Sequence, residues 1–169
     1  MLNESISGDR QEPSDLSVDA HVLLVGSSGG HLAQLLPLRG MFAPEKRSWV
    51  TFRTPDAIGA LQTEKDVTWA FHPTTRNIPN LVRNTVQAWK LLRQKRPKLI
   101  VSTGAGAAFP YFVLSRLFGA RTVYIEVYDR VDSATLTGRL CSPFTDIFAV
   151  QWPEQKALYR DAVVIGPLL

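Results

Sequence analysis

The feature that most constrains this chain is a regular exchange of short, β-branched, near-continuously apolar runs with segments of helical period. Strands are expected over residues 21–26, 47–53, 67–71, 98–103, 121–126, 146–151 and 162–165. Helices are expected over 31–42, 56–62, 80–94, 106–118, 133–141 and 153–160. Strands that are apolar on both faces belong in a parallel sheet covered on both sides by helices. No internal repeat and no Gly/Ser-rich linker divides the chain. The expected fold is therefore α/β: a single Rossmann-like, doubly wound parallel sheet over residues 20–169. Residues 1–19 are polar and lack the basic start and apolar stretch of a signal peptide, so they read as a disordered tail.

Composition removes several function classes. Cys141 is the only cysteine in 169 residues, which excludes an internal disulfide and multi-cysteine metal sites and fits a reducing cytoplasm. His21, His31 and His72 are scattered, so no metal site is expected. The apolar runs fall far short of the roughly 20 residues that span a bilayer, and the chain is not expected to cross a membrane by itself. A net charge of +4 and a pI near 9.5 favour acidic partners: anionic lipid, a nucleotide or pyrophosphate, or nucleic acid. No nucleic-acid-binding motif accompanies the charge, and no nucleic-acid partner is expected.

Ligands of such sheets sit beyond the carboxyl ends of the strands, and three strand-to-helix junctions stand out there. The first is Gly26-Ser27-Ser28-Gly29-Gly30-His31. Its glycines and the helix that follows favour an anionic group such as pyrophosphate, although a plain strand–helix turn needs glycine too. It fits neither a dinucleotide fingerprint, since Ser28 stands where glycine is needed, nor a Walker loop, since His31 follows Gly30. An imidazole at His31 can take a proton from a sugar hydroxyl or donate to phosphate, and it can equally cap or pack. The second junction, from Ser102 through Thr103 and Gly104 to Pro110, offers further backbone N–H groups or simply close packing. In the third, Glu126 interrupts an apolar strand near its end. A carboxylate there needs a partner: a ligand, which would make Glu126 a general base or a sugar-orienting group, or Arg130 in an ion pair.

A basic amphipathic segment lies between the first and second junctions. Its apolar stripe, Ile78, Leu81, Val82, Val86, Trp89 and Leu92, is expected to be mostly core contact. Arg76, Arg83, Lys90, Arg93, Lys95, Arg96 and Lys98 load it with charge that suits anionic headgroups. Arg76, Arg83, Trp89 and Lys90 form the candidate membrane patch, with the direction of Trp89 left open.

Gly26-Ser-Ser-Gly-Gly-His31, Ser102-Thr-Gly-Ala, Tyr124-Ile-Glu126, Leu136-Thr-Gly-Arg139, Asp146 and Val150-Gln-Trp-Pro153 occur in that order. Together they resemble the small, acceptor-side subunit of bipartite UDP-sugar glycosyltransferases. That family includes the asparagine-linked-glycosylation-fourteen subunits of eukaryotes and PssD-like relatives in bacterial exopolysaccharide assembly, and it is similar to the N-terminal domain of MurG. The resemblance runs from about His21 to the C-terminus. It implies the N-terminal half of a GT-B architecture, with no cofactor beyond the UDP-sugar donor. It implies a heterodimer with a donor-binding glycosyltransferase subunit carrying a second Rossmann domain, and an inverting hexosyltransferase complex of which this chain is inactive alone. Its acceptor would be a lipid-pyrophosphate-linked saccharide, and its place peripheral on the cytoplasmic face of the membrane. By the same resemblance Gly29, Gly30, His31 and Glu126 face the acceptor; Gly26, Ser27, Ser28, Thr103, Gly104 and Arg130 complete the expected acceptor- and phosphate-binding site, and His31 or Glu126 is the expected catalytic base. Val163, Val164, Ile165, Leu168 and Leu169 are candidate contacts to the partner.

The chain departs from the family at Val127-Tyr128-Asp129, and no N-terminal membrane anchor is expected, so recruitment is expected to fall to a surface patch or another protein. Two rival functions are a non-catalytic scaffold that activates a glycosyltransferase, and an NADP-binding reductase using Arg53 at the end of the second strand.

Overall fold

The structure, a computed structural model, describes residues 20–159 and 161–169. The expected tail at 1–19 and the last residue of the helix expected over 153–160 lie outside the described residues. Strands β1 (Val22–Val25), β2 (Arg47–Phe52), β3 (Val67–Ala70), β4 (Leu99–Ser102), β5 (Arg121–Ile125), β6 (Ile147–Val150) and β7 (Val163–Val164) form one sheet in the order β3-β2-β1-β4-β5-β6-β7. Every pairing is parallel. Helices α1 (Gly30–Leu35), α2 (Pro55–Ala60), α3 (Ile78–Lys95), α4 (Phe109–Ser115) and α5 (Leu136–Cys141) connect them.

Alternate strand residues feed two cores. Leu23, Val25, Val50, Ile100, Tyr124 and Phe148 pack in one with residues of α3, α4 and α5. Val22, Leu24, Trp49, Val101, Ile125 and Ala149 pack in the other with residues of α1 and α2. Each such aliphatic side chain taken fully from water contributes about 1.5–3 kcal/mol, which is why strands apolar on both faces demand helices on both. The helix expected over 31–42 ends at Leu35 and tightens into a 3₁₀ segment, Leu36–Met41, with Pro37 in its first turn. The helix expected from residue 80 begins at Ile78, because the Asn77 carboxamide accepts the Asn80 backbone N–H at 2.9 Å.

Helix α3 overturns one expectation. Ile78, Leu81, Val82, Val86 and Trp89 are exposed, and only Leu92 of the stripe is core. The buried face carries Asn80, Asn84, Ala88, Leu91 and Leu92. The reason is that α3 covers the outer strand β3, beyond which, among the described residues, no further strand pairs. The Asn84 carboxamide takes both the N–H and the carbonyl of Phe71, at 2.8 and 3.0 Å. Gln87 donates to the Trp69 carbonyl at 3.0 Å, and Asn80 donates to that of Pro73 at 2.9 Å. Amides therefore turn inward to the sheet edge, and the apolar residues turn out.

Opposite the ligand end, Arg47 grips Glu64 through Nε and Nη2, both at 2.8 Å, and the Trp49 indole donates to the same carboxylate at 2.9 Å. Burial alone would raise the Glu64 pKa, but Arg47 and Trp49 outweigh it and hold it below the ordinary value. A depressed carboxylate stabilises the fold fully above its unfolded-state pKa, and this contribution is lost as pH falls through the depressed value. Glu64→Gln leaves Arg47 buried without its counter-charge. It should lower the unfolding free energy by about 3 kcal/mol at neutral pH, measured by urea denaturation, with a smaller difference from wild type in acid.

Candidate functional site

The strand order turns at β1, with β2 on one side and β4 on the other, so the loops after β1 and β4 face each other across the switch point. His31 sits in the first turn of α1 and reaches across this gap. Its Nδ1 lies 2.8 Å from the Thr103 carbonyl, and the Thr103 hydroxyl donates to the His31 carbonyl at 2.8 Å. A carbonyl only accepts, so Nδ1 carries the proton and Nε2 is left as an acceptor. Among the described residues nothing hydrogen-bonds Nε2. The first two junctions thus converge on one oriented imidazole. Gly104 makes this possible: its φ is +107°, and a β-carbon there would lie 2.6 Å from the Tyr124 hydroxyl and 3.3 Å from His31 Cε1.

Ser27 and Ser28 are half-buried and Gly29 and Gly30 exposed, while Gly26 is buried. The Gly29 N–H is already taken by the Asp56 carboxylate at 3.0 Å. Asp56, in the first turn of α2, was not among the residues singled out from the sequence. Its signal was there, in an acid following Thr54-Pro55 at a helix start. An anion on this loop shares the Gly29 N–H with that carboxylate or displaces it.

Glu126 directly follows β5 and is fully buried. Its carboxylate accepts the Val127 N–H at 3.0 Å and the Thr135 hydroxyl at 3.1 and 3.0 Å, and the Tyr159 hydroxyl also donates to it. Thr135 caps α5 by accepting the Gly138 N–H at 3.0 Å. A β-carbon at Gly138 would come within 2.8 Å of Glu126 Oε2 and 2.5 Å of the Tyr159 hydroxyl, which explains the glycine of Leu136-Thr-Gly-Arg139. Burial first, and then the neighbouring carboxylate, push the Tyr124 and Tyr159 phenols above their ordinary pKa. The alternative Glu126–Arg130 ion pair does not form: Arg130 is exposed, and its carbonyl accepts from Gln155 at 3.1 Å.

Three glutamines hold the third junction: Gln151, part of the Val150-Gln-Trp-Pro153 motif, and Gln34 and Gln155, which the sequence reading passed over. Gln151 Nε2 donates to Gln34 Oε1 at 2.6 Å and to the Glu126 carbonyl at 2.9 Å, while its oxygen accepts the Leu168 N–H at 2.9 Å. Gln34 in turn donates to the Gly30 carbonyl at 3.1 Å and accepts the Tyr128 N–H at 3.2 Å. Gln155 donates to the Val127 carbonyl at 2.8 Å, and the Trp152 indole donates to that of Tyr128 at 2.8 Å. The Val150-Gln-Trp-Pro153 segment is therefore a bracket for residues 126–130. Amides amid apolar strand and helix residues were the available signal.

Of the remaining candidates, Trp89 points outward, its ring edge-on to Phe118 at 5.1 Å. Arg76, Arg83 and Lys90 are exposed, and the Arg83 guanidinium lies 5.8 Å from the Phe71 ring centre. Val163, Val164, Ile165 and Leu169 are exposed on or after the edge strand β7, whereas Leu168 packs against the core on the α1 side. These two groups do not meet the crevice residues. Among the described residues no cluster of His, Cys, Asp and Glu could hold a metal ion.

This sheet, with its crevice at the β1/β4 switch point, is the fold of one half of the two-domain GT-B glycosyltransferases and related sugar-nucleotide epimerases. Acinetobacter baumannii MurG matches over 88% of this chain and 46% of its own, with a TM-score of 0.69 and 15% identity. A Staphylococcus aureus MnaA–UDP structure matches over 88% and 45%, with a TM-score of 0.67 and 11% identity. The chain thus spans a little under half the length of these solved structures. The family model described as "Oligosaccharide biosynthesis protein Alg14 like" matches residues 71–168, and the chain belongs to that family. The Eremothecium gossypii protein named UDP-N-acetylglucosamine transferase subunit ALG14 is 28% identical, over 88% of this chain and 80% of its own length. The Homo sapiens protein of the same name is 25% identical, over 88% and 82%.

Gly104→Ala should cost about 1–3 kcal/mol of stability through overpacking. It should also perturb the His31 ring resonances, and unchanged histidine NMR shifts would contradict the close approach described above.

Proposed function

We propose that this chain is the acceptor-side subunit of a heteromeric, inverting, UDP-sugar-dependent hexosyltransferase acting in lipid-linked oligosaccharide or polysaccharide assembly. The observation that carries this reading is the oriented His31, with its free Nε2, at the switch point of a chain that amounts to half of a two-domain fold. The relatives' printed names, each a subunit of a UDP-N-acetylglucosamine transferase, support it. The acceptor is a saccharide on a lipid pyrophosphate. Its phosphates rest on the loop from Gly26 to Gly30, with Thr103, Gly104 and Arg130 around them. The donor is held by a partner that contributes a second Rossmann domain and packs on Val163, Val164, Ile165, Leu168 and Leu169.

In the assembled cleft His31 Nε2 removes the proton from the acceptor hydroxyl as its oxygen attacks the anomeric carbon of the UDP-sugar, and UDP departs from the opposite face. Thr103 keeps the imidazole in the required tautomer. Glu126 acts through position: it anchors the start of α5 and the loop 126–130, and its burial leaves His31 as the base. No cofactor is used, and the chain alone is inactive.

Among the described residues no helix is long and apolar enough to cross a membrane. Peripheral contact on the cytoplasmic face is supplied by the outward row of α3, with Arg76, Arg83, Trp89 and Lys90 beside Ile78, Val82 and Val86. A second reading has one observation in its favour: the Gly29 N–H is already occupied by Asp56, as suits a scaffold that leaves all chemistry to its partner. Full transfer by the partner alone would decide for the scaffold.

With the partner present, His31→Ala should leave the fold intact, since the side chain is only half-buried. It should lower the transfer rate by about 10² or more, as for a lost acid–base group. Val82→Ser combined with Val86→Ser should release the chain from phospholipid vesicles in a flotation assay without altering its thermal midpoint, because both side chains already face solvent.

A further inference from the structure

At the end of α3 away from the crevice lies a recess of about 480 Å³, lined by Trp89, Arg93, Arg96, Lys98, Leu117 and Phe118. We propose that it binds the phosphate of an anionic phospholipid headgroup. The proposal rests on α3 lying against a bilayer, and it adds a discrete lipid site to that surface.

The recess draws three cations from three places: the last turn of α3, its C-terminal cap, and the residue before β4. Its lining has no acid, and α3 has none along its whole length. Among the described residues the charged heads of Arg93, Arg96 and Lys98 have no hydrogen-bond or ion-pair partner. Neighbouring cations do: Lys95 meets Asp66 at 2.5 Å, and Arg47 meets Glu64 at 2.8 Å. Cations near a helix C-terminus suit its dipole, but the dipole does not explain a recess or what happens at Arg96. That residue caps α3 in the left-handed region, at φ 45° and ψ 53°, where glycine or asparagine is usual. At the corresponding place after the next helical segment the chain uses Gly119, at φ 66°. A long cation thus occupies a position whose backbone favours glycine, as expected if the guanidinium has work of its own.

The rim tells a free anion from a lipid. Trp89 and Leu117 are 44% and 69% exposed at its edge. Arg93 follows Trp89 by one helical turn, so the outward apolar row of α3 runs straight into the recess. A free phosphate would leave these side chains in water. A phospholipid places its phosphate among the three cations and its chains over Trp89 and Leu117. The 18 residues of α3 extend about 27 Å at 1.5 Å per residue, so a headgroup here and an acceptor pyrophosphate at the crevice are separate lipids. Two attachments so far apart fix how the crevice faces the membrane.

The test uses the ¹⁵N-labelled chain and dihexanoyl phosphatidylglycerol below its micelle concentration, with dihexanoyl phosphatidylcholine and inorganic phosphate as comparisons. Phosphatidylglycerol should saturably shift the Trp89 indole N–H and the backbone amides of 93–98, while the other two should not. Arg93→Ala and Arg96→Gly should each weaken this binding about fivefold, the effect of one cation near an anionic surface. Arg96→Gly should also keep or raise the thermal midpoint, which a merely structural arginine would not do. Equal shifts with inorganic phosphate, no localised shifts, or wild-type affinity in a variant combining Arg93→Ala with Arg96→Gly would overturn the proposal. Vesicles separate it from the broader membrane reading. If wild type floats with vesicles and the double variant keeps the same dependence on phosphatidylglycerol, the recess alone is refuted. If wild type ignores vesicles yet binds the short-chain lipid at the recess, the bilayer contact of α3 is refuted.

Discussion

Two hydrogen bonds exchanged between His31 and Thr103 hold together the loops at the carboxyl ends of the central strands. Each residue gives one donor and one acceptor, so the loop after β1 and the loop after β4 cannot shift independently. Parallel sheets open a crevice wherever the strand order turns, and a crevice with free loops would be wide and variable. Here the pair closes its floor, sets the imidazole tautomer and brings Gly104 so near Tyr124 that no side chain fits. The glycine loop, the small-residue loop and the histidine are parts of one arrangement.

The third junction is built on the opposite plan. A buried carboxylate persists only where hydrogen bonds replace its water, and Glu126 finds them in Thr135, Tyr159 and its own loop. It sits at the start of α5, bonded to the Thr135 hydroxyl that caps that helix. Gln34, Gln151 and Gln155 satisfy the surrounding backbone. Polar groups inside a core are stable when the network is complete, and this one links α1, the end of β5 and the segment after β6. Carboxylate and imidazole, two candidates for one role in the sequence, are differently placed: Glu126 is fully buried within its network, and His31 is half-buried at the switch point.

The strands were readable because parallel β-structure buries both faces, and continuous apolar runs such as Val22–Val25 and Leu99-Ile100-Val101 have few other uses. The glycine loops were readable as places of close approach, but the sequence does not say what approaches. At Gly138 it is a tyrosine hydroxyl and a carboxylate, brought there from far along the chain. Helix α3 misled because its period is true while its polarity is reversed: Asn80, Asn84 and Gln87 serve the unpaired edge of the sheet. A helical stripe shows that one face is apolar, and only the neighbour reveals which face turns inward. Asp56 went unnoticed because its partner is a backbone N–H distant in sequence, which no side-chain pattern records.

Strand β7 contributes only Val163 and Val164, bonded to β6 on one side and, among the described residues, unpaired on the other. Such an edge accepts any extended segment that comes by, including another copy of itself. If a partner covers it in the cell, chains made in excess of that partner are exposed to self-aggregation and proteolysis, so the two polypeptides would have to be produced in step.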